Sequence, residues 1–136
     1  MPLHHKYRVL LVDDCVPVRI TLRSVLRGYV DLQIVGEACD GKQAIEQVAA
    51  CQPDIILMDY SMPNMNGIEA ARLIKKLWAE TVIIGLCTVP DTYITDGFLN
   101  AGAIAVVYKD RMEHLHSTIQ RAFPKRASSD CLMAQH

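Results

Sequence analysis

The chain lacks an excess of charge of either sign: 14 Lys and Arg stand against 15 Asp and Glu, a formal net charge of -1 over 136 residues. Proteins that grip nucleic acid neutralise phosphates with a basic surplus, so no such footprint is present. A long apolar run is missing too. The longest stretch without a charged residue is the twelve from Gly97 to Tyr108, and it holds two glycines and an asparagine, whereas a spanning helix needs about 20 apolar residues. The opening MPLHHKYR is polar, and the VLLV behind it is too short for the core of a signal peptide, so a cytoplasmic location is expected. The cysteines (Cys15, Cys39, Cys51, Cys87, Cys131) are odd in number and show no CxxC spacing. They read as reduced thiols, most of them small core residues, rather than a disulfide framework or a zinc site. His114 and His116 are two apart in a helical pattern, where neighbours point to different sides, so no metal pair is expected there.

What the chain does have is an alternation. With 51% of residues apolar and 21% charged, it is long enough for one domain with a real core. Five short β-rich runs recur: Tyr7 to Val12, Gln33 to Ala38, Asp54 to Met58, Thr81 to Cys87 and Ala103 to Tyr108. Three are nearly continuous Val, Ile and Leu, as strands buried on both faces require. Between them apolar residues fall at helical spacing: Val18, Leu22, Val25 and Leu26; Ala44, Ile45, Val48 and Ala49; Ala70, Ile74, Leu77 and Trp78; Ile94, Phe98 and Ala101; Met112, Leu115, Ile119 and Ala122. Asp40 can cap the second helix, Gly28 follows the first, Pro53 precedes the third strand, and Pro17 sits in a first helical turn where its missing N–H costs little. Strict strand and helix alternation implies parallel strands with right-handed crossovers, hence an α/β, (βα)5 doubly wound open sheet. In such sheets ligands bind beyond the carboxyl ends of the strands.

The first strand ends in Asp13-Asp14, the third in Asp59 and the fifth in Lys109, so three carboxylates and one ammonium converge on one sheet edge. Close carboxylates repel by about 4 kcal/mol per pair at an effective dielectric near 20. The cluster therefore calls for a cation, and a hard divalent ion with oxygen ligands, Mg²⁺ above all, suits it.

The segments VLLVDD, DIILMDYSMPNMNGIEAAR and AGAIAVVYKD resemble the receiver domain of two-component response regulators, and the similarity runs from Tyr7 to Phe123. The specific part is Asp59 followed by Met62-Pro63, Asn66-Gly67 and Glu69-Ala70. With Lys109-Asp110 it is most similar to the subfamily whose receivers precede a helix-turn-helix output domain. The resemblance implies the flavodoxin-like strand order 2-1-3-4-5. It also implies that Asp59 accepts a phosphoryl group from a sensor histidine kinase or phosphotransfer protein, forming an acyl phosphate. Asp14, Asp59 and the backbone carbonyl of Ser61 would hold Mg²⁺ directly, with Asp13 acting through a water. Lys109 would pair first with Asp59 and then with a phosphoryl oxygen. Asn66 and Gly67 suit the tight loop into the third helix, and Met62-Pro63 a turn that aims the Ser61 carbonyl.

Two positions depart from the family. Receivers place Ser or Thr at the end of the fourth strand, where this chain reads Leu86-Cys87-Thr88. Counting back from Ala101-Gly102 without a gap puts Cys87 there. Thr88 reaches the place if the next loop is one residue shorter, and phosphoryl recognition favours its hydroxyl over a thiol, a poor donor. The aromatic expected three residues before the lysine is Val106. Tyr108, two further on and on the same face, is a displaced substitute or a residue packed at the sheet end. Both departures predict a weaker conformational response than in a standard receiver.

The expected organisation is a receiver domain over residues 1–123 and a polar tail or linker over 124–136. The output surface is expected over Asp91 to Phe123, facing an output domain or effector protein, with transcriptional regulation as the outcome if the natural protein continues past His136. A homodimer on that face is an expectation from resemblance. Catalysis beyond self-phosphorylation and slow self-dephosphorylation is not expected. The competing readings are a receiver-like interaction module that no longer answers to phosphate, and a slow Mg²⁺-dependent phosphohydrolase. Such hydrolases commonly need an acid or base two residues past the nucleophile, a place held here by Ser61.

Overall fold

The computed structural model describes residues 6–123; the segment 124–136, with Cys131, and the terminal His4 and His5 lie outside the described residues. Strands and helices alternate as β1 (Tyr7–Val12), α1 (Val16–Arg27), β2 (Leu32–Ala38), α2 (Gly41–Cys51), β3 (Ile55–Asp59), α3 (Gly67–Leu77), β4 (Val82–Cys87), α4 (Thr92–Asn100), β5 (Ala105–Tyr108) and α5 (Leu115–Ala122). All strand pairings are parallel and the order is β2-β1-β3-β4-β5. This is the expected flavodoxin-like α/β fold. Among the described residues no helix is long and apolar enough to cross a membrane.

Alternation along each strand divides the core into two layers. Leu10, Val12, Ile56, Met58 and Ile83 face Ala44, Val48, Ala70, Ile74 and Phe98 of α2, α3 and α4. Val9, Leu11, Ile55, Leu57 and Ile84 face Leu22, Leu26, Leu115 and Ile119 of α1 and α5. Each fully buried Leu or Ile contributes about 1.5–3 kcal/mol, so β1 and β3, flanked on both sides, anchor the molecule. The Asp40 side chain accepts from the Gln43 N–H at 2.8 Å, capping α2 as expected. Asn66 caps α3 by accepting from Glu69 N at 2.9 Å, and Glu69 Oε1 accepts in return from Asn66 N at 3.3 Å.

Several boundaries differ from the sequence pattern. β5 begins at Ala105 rather than Ala103, and a 3-10 turn at Met112–His114 precedes α5. Ala49 and Leu77, placed by periodicity on buried faces, are exposed: at about 100° per residue they stand at the flank of the stripe marked by Ala44 and Val48 on α2 and by Ala70 and Ile74 on α3. Gly28 follows α1 with an ordinary right-handed backbone, φ -70.

Two glycines are required by close approach. A Cβ at Gly67 would stand 2.0 Å from the Asp59 carbonyl oxygen, and one at Gly85 of β4 would stand 2.6 Å from the Phe98 ring. Phe98 is fully buried, lies edge-on to Tyr60 at 6.5 Å between centroids, and also approaches Gly67. It therefore wedges between β4 and the loop that follows β3. The substitution Gly85→Ala is expected to destabilise the fold by about 1–3 kcal/mol through overpacking, with part of the loss recovered in Gly85→Ala/Phe98→Leu; urea unfolding of the three proteins measures both.

Candidate functional site

Because the strands are parallel, the carboxyl ends of β1, β3 and β5 meet at one edge, and the residues that stand there are brought together whatever their separation in sequence. Asp13 and Asp14 follow β1, Asp59 closes β3 and Lys109 follows β5. Asp13 and Asp59 are buried, while Asp14 is exposed. The Lys109 ammonium lies 2.7 Å from Asp13 Oδ2 and 2.8 Å from Asp59 Oδ1, so it bridges both carboxylates rather than pairing with Asp59 alone. One carboxylate oxygen from each of Asp13, Asp14 and Asp59 lies within 4.8 Å of the others.

Asp13 is held on every side. Its N–H donates to the Ala38 carbonyl at 3.0 Å, and its Oδ1 accepts from the Cys15 N–H at 2.8 Å. Its Oδ2, sealed from solvent, has the Lys109 ammonium at 2.7 Å as its partner. Three carboxylates with an oxygen each within 4.8 Å of the others, and an excess of negative charge over one ammonium, together fit a hard divalent cation with oxygen ligands. Ser61 lies two residues past Asp59 in an exposed loop. The loop returns to the sheet through Gly67, whose N–H donates to the Tyr60 carbonyl at 2.8 Å.

Burial pushes the Asp59 carboxyl above the ordinary carboxylate value; the hydrogen bond from Lys109 opposes the rise, and the charges of Asp13 and Asp14 add to it. Burial acts on Lys109 in the opposite sense, but its hydrogen bonds to Asp13 and Asp59 and their charges outweigh it, and the ammonium is held above its usual value. Lys109 stays charged.

The fourth strand ends at Cys87, which is buried, and its carbonyl accepts from the Lys109 N–H at 2.9 Å. Its thiol lies 3.4 Å from the Val89 carbonyl. Burial and the charge of Asp91 raise the thiol above the ordinary cysteine value, Lys109 lowers it and Asp59 raises it, so the sulfur sits within electrostatic reach of the acidic edge as a neutral thiol. Thr88 lies beyond the strand and is exposed. Val106 packs against the α2–α4 layer. Tyr108 is half-buried and lines, with Val106, Arg111 and Thr118, a surface groove of about 590 Å³ along β5.

Sequence reasoning missed two features of this edge and one at the opposite end of the sheet. Arg19 Nε donates to Glu37 Oε1 at 2.9 Å, and another arm of its guanidinium donates to the Asp13 carbonyl. The Cys15 N–H that fixes Asp13 is a backbone group with no sequence signal. His116, set aside as a metal ligand, lies 3.0 Å from Asp31 Oδ1 and stacks on Tyr29 at 3.7 Å, tying α5 to the loop before β2.

The model of the response regulator receiver domain matches residues 9–120 of the chain. A protein-glutamate methylesterase/protein-glutamine glutaminase of Pyrococcus abyssi is 40% identical over 111 residues, which are 80% of this chain and 30% of that protein. An uncharacterized transcriptional regulatory protein of Bacillus subtilis, YxjL, is 39% identical over 119 residues, 86% of this chain and 54% of its own length. The chain thus spans about a third to a half of the curated relatives it matches. Among solved structures, the response regulator domain of Thermotoga maritima CheB superposes with a TM-score of 0.80 at 33% identity, covering 87% of this chain and 96% of that one.

The raised Asp59 carboxyl carries a consequence for stability. An acid that holds its proton more tightly folded than unfolded imposes no penalty at low pH, where both states are protonated. The penalty develops as the pH climbs from the ordinary carboxylate range through the raised folded value. Asp59→Asn is therefore expected to melt at a higher temperature than the wild type at pH 7 in a chelator-containing buffer, with the difference shrinking toward pH 4. An unchanged or lower melting temperature at pH 7 contradicts this account.

Proposed function

The chain belongs to the response regulator receiver domain family and is a receiver of two-component signalling, and from that premise we propose that it takes its phosphoryl group on Asp59 from a histidine kinase or phosphotransfer protein. The observation that carries the proposal is the Lys109 ammonium shared between Asp13 and Asp59 at 2.7 and 2.8 Å. It leaves the Asp59 carboxylate ionisable at a water-poor strand end with a cation already beside it. A carboxylate oxygen of Asp59 forms a bond to phosphorus as the phosphorus–nitrogen bond of a phosphohistidine breaks, and the donor's imidazole nitrogen keeps the electron pair. Lys109 then passes from the carboxylate to a phosphoryl oxygen.

Asp13, Asp14, Asp59 and the Ser61 carbonyl are the residues that would hold Mg²⁺, which when bound neutralises the phosphoryl oxygens during in-line transfer. Asp13 and Lys109 supply positioning and charge rather than a proton. We read Cys87 as the occupant of the phosphoryl-sensing place: it closes β4, shares a backbone hydrogen bond with Lys109 and lies within electrostatic reach of Asp91, Lys109 and Asp59, while Thr88 is exposed. A thiol donates weakly, and Val106 offers no aromatic latch. The chain accordingly accepts phosphate as a receiver does and answers with a smaller conformational change.

The receiver is read as residues 1–123, followed by a polar tail or linker. The signal leaves through the face from Asp91 to Phe123, toward an output domain, an effector protein or a second copy of the chain. The similarity to a transcriptional regulatory protein favours a transcriptional output, and the similarity to methylesterases, of which the chain spans 30%, allows a regulated enzyme domain instead. No catalysis beyond self-phosphorylation and slow self-dephosphorylation is assigned to the chain, and its place of action is the cytoplasm.

Intact mass after incubation with Mg²⁺ and acetyl phosphate tests the acceptor: one phosphoryl group is expected on the wild type and none on Asp59→Asn. Equal labelling of both proteins, or of neither when Mg²⁺ binding is demonstrable, overturns the assignment in favour of a phosphate-independent interaction module. The strength of the switch is tested by amide chemical shifts of α4 and β5 with beryllium fluoride as the phosphoryl mimic. Restoring a hydroxyl with Cys87→Thr is expected to move the population toward the responding state by about fivefold, the worth of one ordinary hydrogen bond of ~1 kcal/mol; identical shifts in the two proteins remove Cys87 from the mechanism.

A further inference from the structure

We propose that Arg19 and Glu37 act as a positioning pair for the acidic loop after β1, setting the peptide plane from which Asp14 reaches the divalent cation. The inference rests on the receiver reading of the site and goes beyond it. Neither residue touches the reacting atoms.

Arg19 stands one turn into α1 and is largely buried, its side chain 17% exposed. One arm of its guanidinium donates to the Asp13 carbonyl oxygen, and Nε donates to Glu37 Oε1 at 2.9 Å. The other Glu37 oxygen accepts from Arg23. Glu37 itself sits on β2, opposite Leu11 of β1, and the next pair in register is Val12 with Ala38. Ala38 accepts from the Asp13 N–H. The carboxyl end of β1 is thus tied to β2 by its own backbone and to α1 by Arg19, and Glu37 locks the guanidinium in place from the strand side.

The consequence falls on Asp14. The Asp13 carbonyl and the Asp14 N–H lie in one rigid peptide plane, so the hydrogen bond from Arg19 fixes the plane that leads into Asp14. The Asp13 carboxylate is fixed independently by Cys15 and Lys109. Asp14 is exposed and has no side-chain hydrogen bond or ion pair among the described residues, so its position depends on the backbone alone. Arg19 meets the carboxylate and the carbonyl with two separate nitrogens of one planar fork, Nε and Nη1, whereas a lysine would have to serve both from a single nitrogen on a flexible stem.

A positioning role and a simple charge effect predict opposite results. Arg19 is a cation near an acidic cluster; if its charge alone mattered, removing it would strengthen Mg²⁺ binding by relieving repulsion. If it positions Asp14, removing it weakens binding. Titration calorimetry with MgCl₂ at fixed ionic strength, on the wild type, Arg19→Gln, Arg19→Lys, Glu37→Gln and the double variant Arg19→Gln/Glu37→Gln, separates the two. The expected result is a loss of about tenfold in Mg²⁺ affinity for Arg19→Gln, the size typical of residues that orient metal ligands. A loss nearly as large is expected for Arg19→Lys, a smaller one for Glu37→Gln, and no further loss in the double variant. The phosphorylation rate at saturating Mg²⁺ is expected to fall far less than the rate at limiting Mg²⁺.

Arg19→Gln binding Mg²⁺ as tightly as the wild type or more tightly, full rescue by Arg19→Lys, or additive losses in the double variant each overturn the proposal. Glu37→Gln keeps the shape of the clamp and serves where Arg19→Gln does not fold, unchanged affinity in it then being the overturning result. A wild type that binds no Mg²⁺ overturns the receiver reading along with the clamp, whereas a wild type that binds Mg²⁺ indifferently to Arg19 overturns the clamp alone.

Discussion

Lys109 reaches two carboxylates at once, 2.7 Å from Asp13 and 2.8 Å from Asp59, and the rest of the molecule is arranged so that this contact is tolerable. A charge taken out of water costs several kcal/mol unless it is paired and hydrogen-bonded. Asp13 meets that requirement through the Cys15 N–H and the ammonium; Asp59 meets it only in part, and its carboxyl is raised as a result. The one ammonium is shared by two buried carboxylates and offsets a single negative charge, and Asp14 adds a third carboxylate to the cluster. The edge therefore carries a standing demand for a further cation, which fits a site that assembles around one and then around a phosphoryl group.

The surrounding packing ties this edge to α4 in a particular way. Phe98 of α4 fills the space that Gly85 leaves open on β4, and the same ring lies against Gly67 and edge-on to Tyr60. Protein interiors are close-packed, so displacement of the loop after Asp59 meets this ring. The aromatic that joins the loop after Asp59 to β4 thus comes from a helix, while Val106, on β5, contributes little bulk. Cys87 completes the same neighbourhood as a neutral, weakly donating group. Charge at the strand ends sets the environment of Asp59, and the volume and hydrogen bonding of residues around β4 and β5 set how that edge is joined to α4.

The opposite layer has its own fastening. His116 of α5 stacks on Tyr29 and meets Asp31, and Tyr7 stacks on Phe123 at 4.2 Å. Both contacts hold the last helix near the amino ends of β1 and β2, the end of the sheet away from the acidic edge.

Much of this was legible along the chain. Alternating runs of β-branched and helical-period residues specify five strands and five helices, and continuous Val, Ile and Leu in β1, β3 and β4 mark them as interior. The acidic pair, Asp59 and Lys109 were placed together by topology, since parallel strands deliver their carboxyl ends to one edge. The strand order was supplied by family resemblance, because periodicity does not say which strand lies beside which. Ala49 on α2 and Leu77 on α3 are exposed for a related reason: a helical repeat does not reveal how wide a stripe of the helix its neighbours cover. Nothing local distinguishes Arg19 or Glu37 from solvated charges, Gly85 from an ordinary strand glycine, or His116 from an exposed histidine 85 residues from its partner Asp31. Periods of 2 and 3.6 residues are properties of a single element and are written in sequence. Bridging of two aspartates by one lysine, the seat of Phe98 and the clamp on Asp13 depend on register and on the distance between elements, which only the packed structure decides.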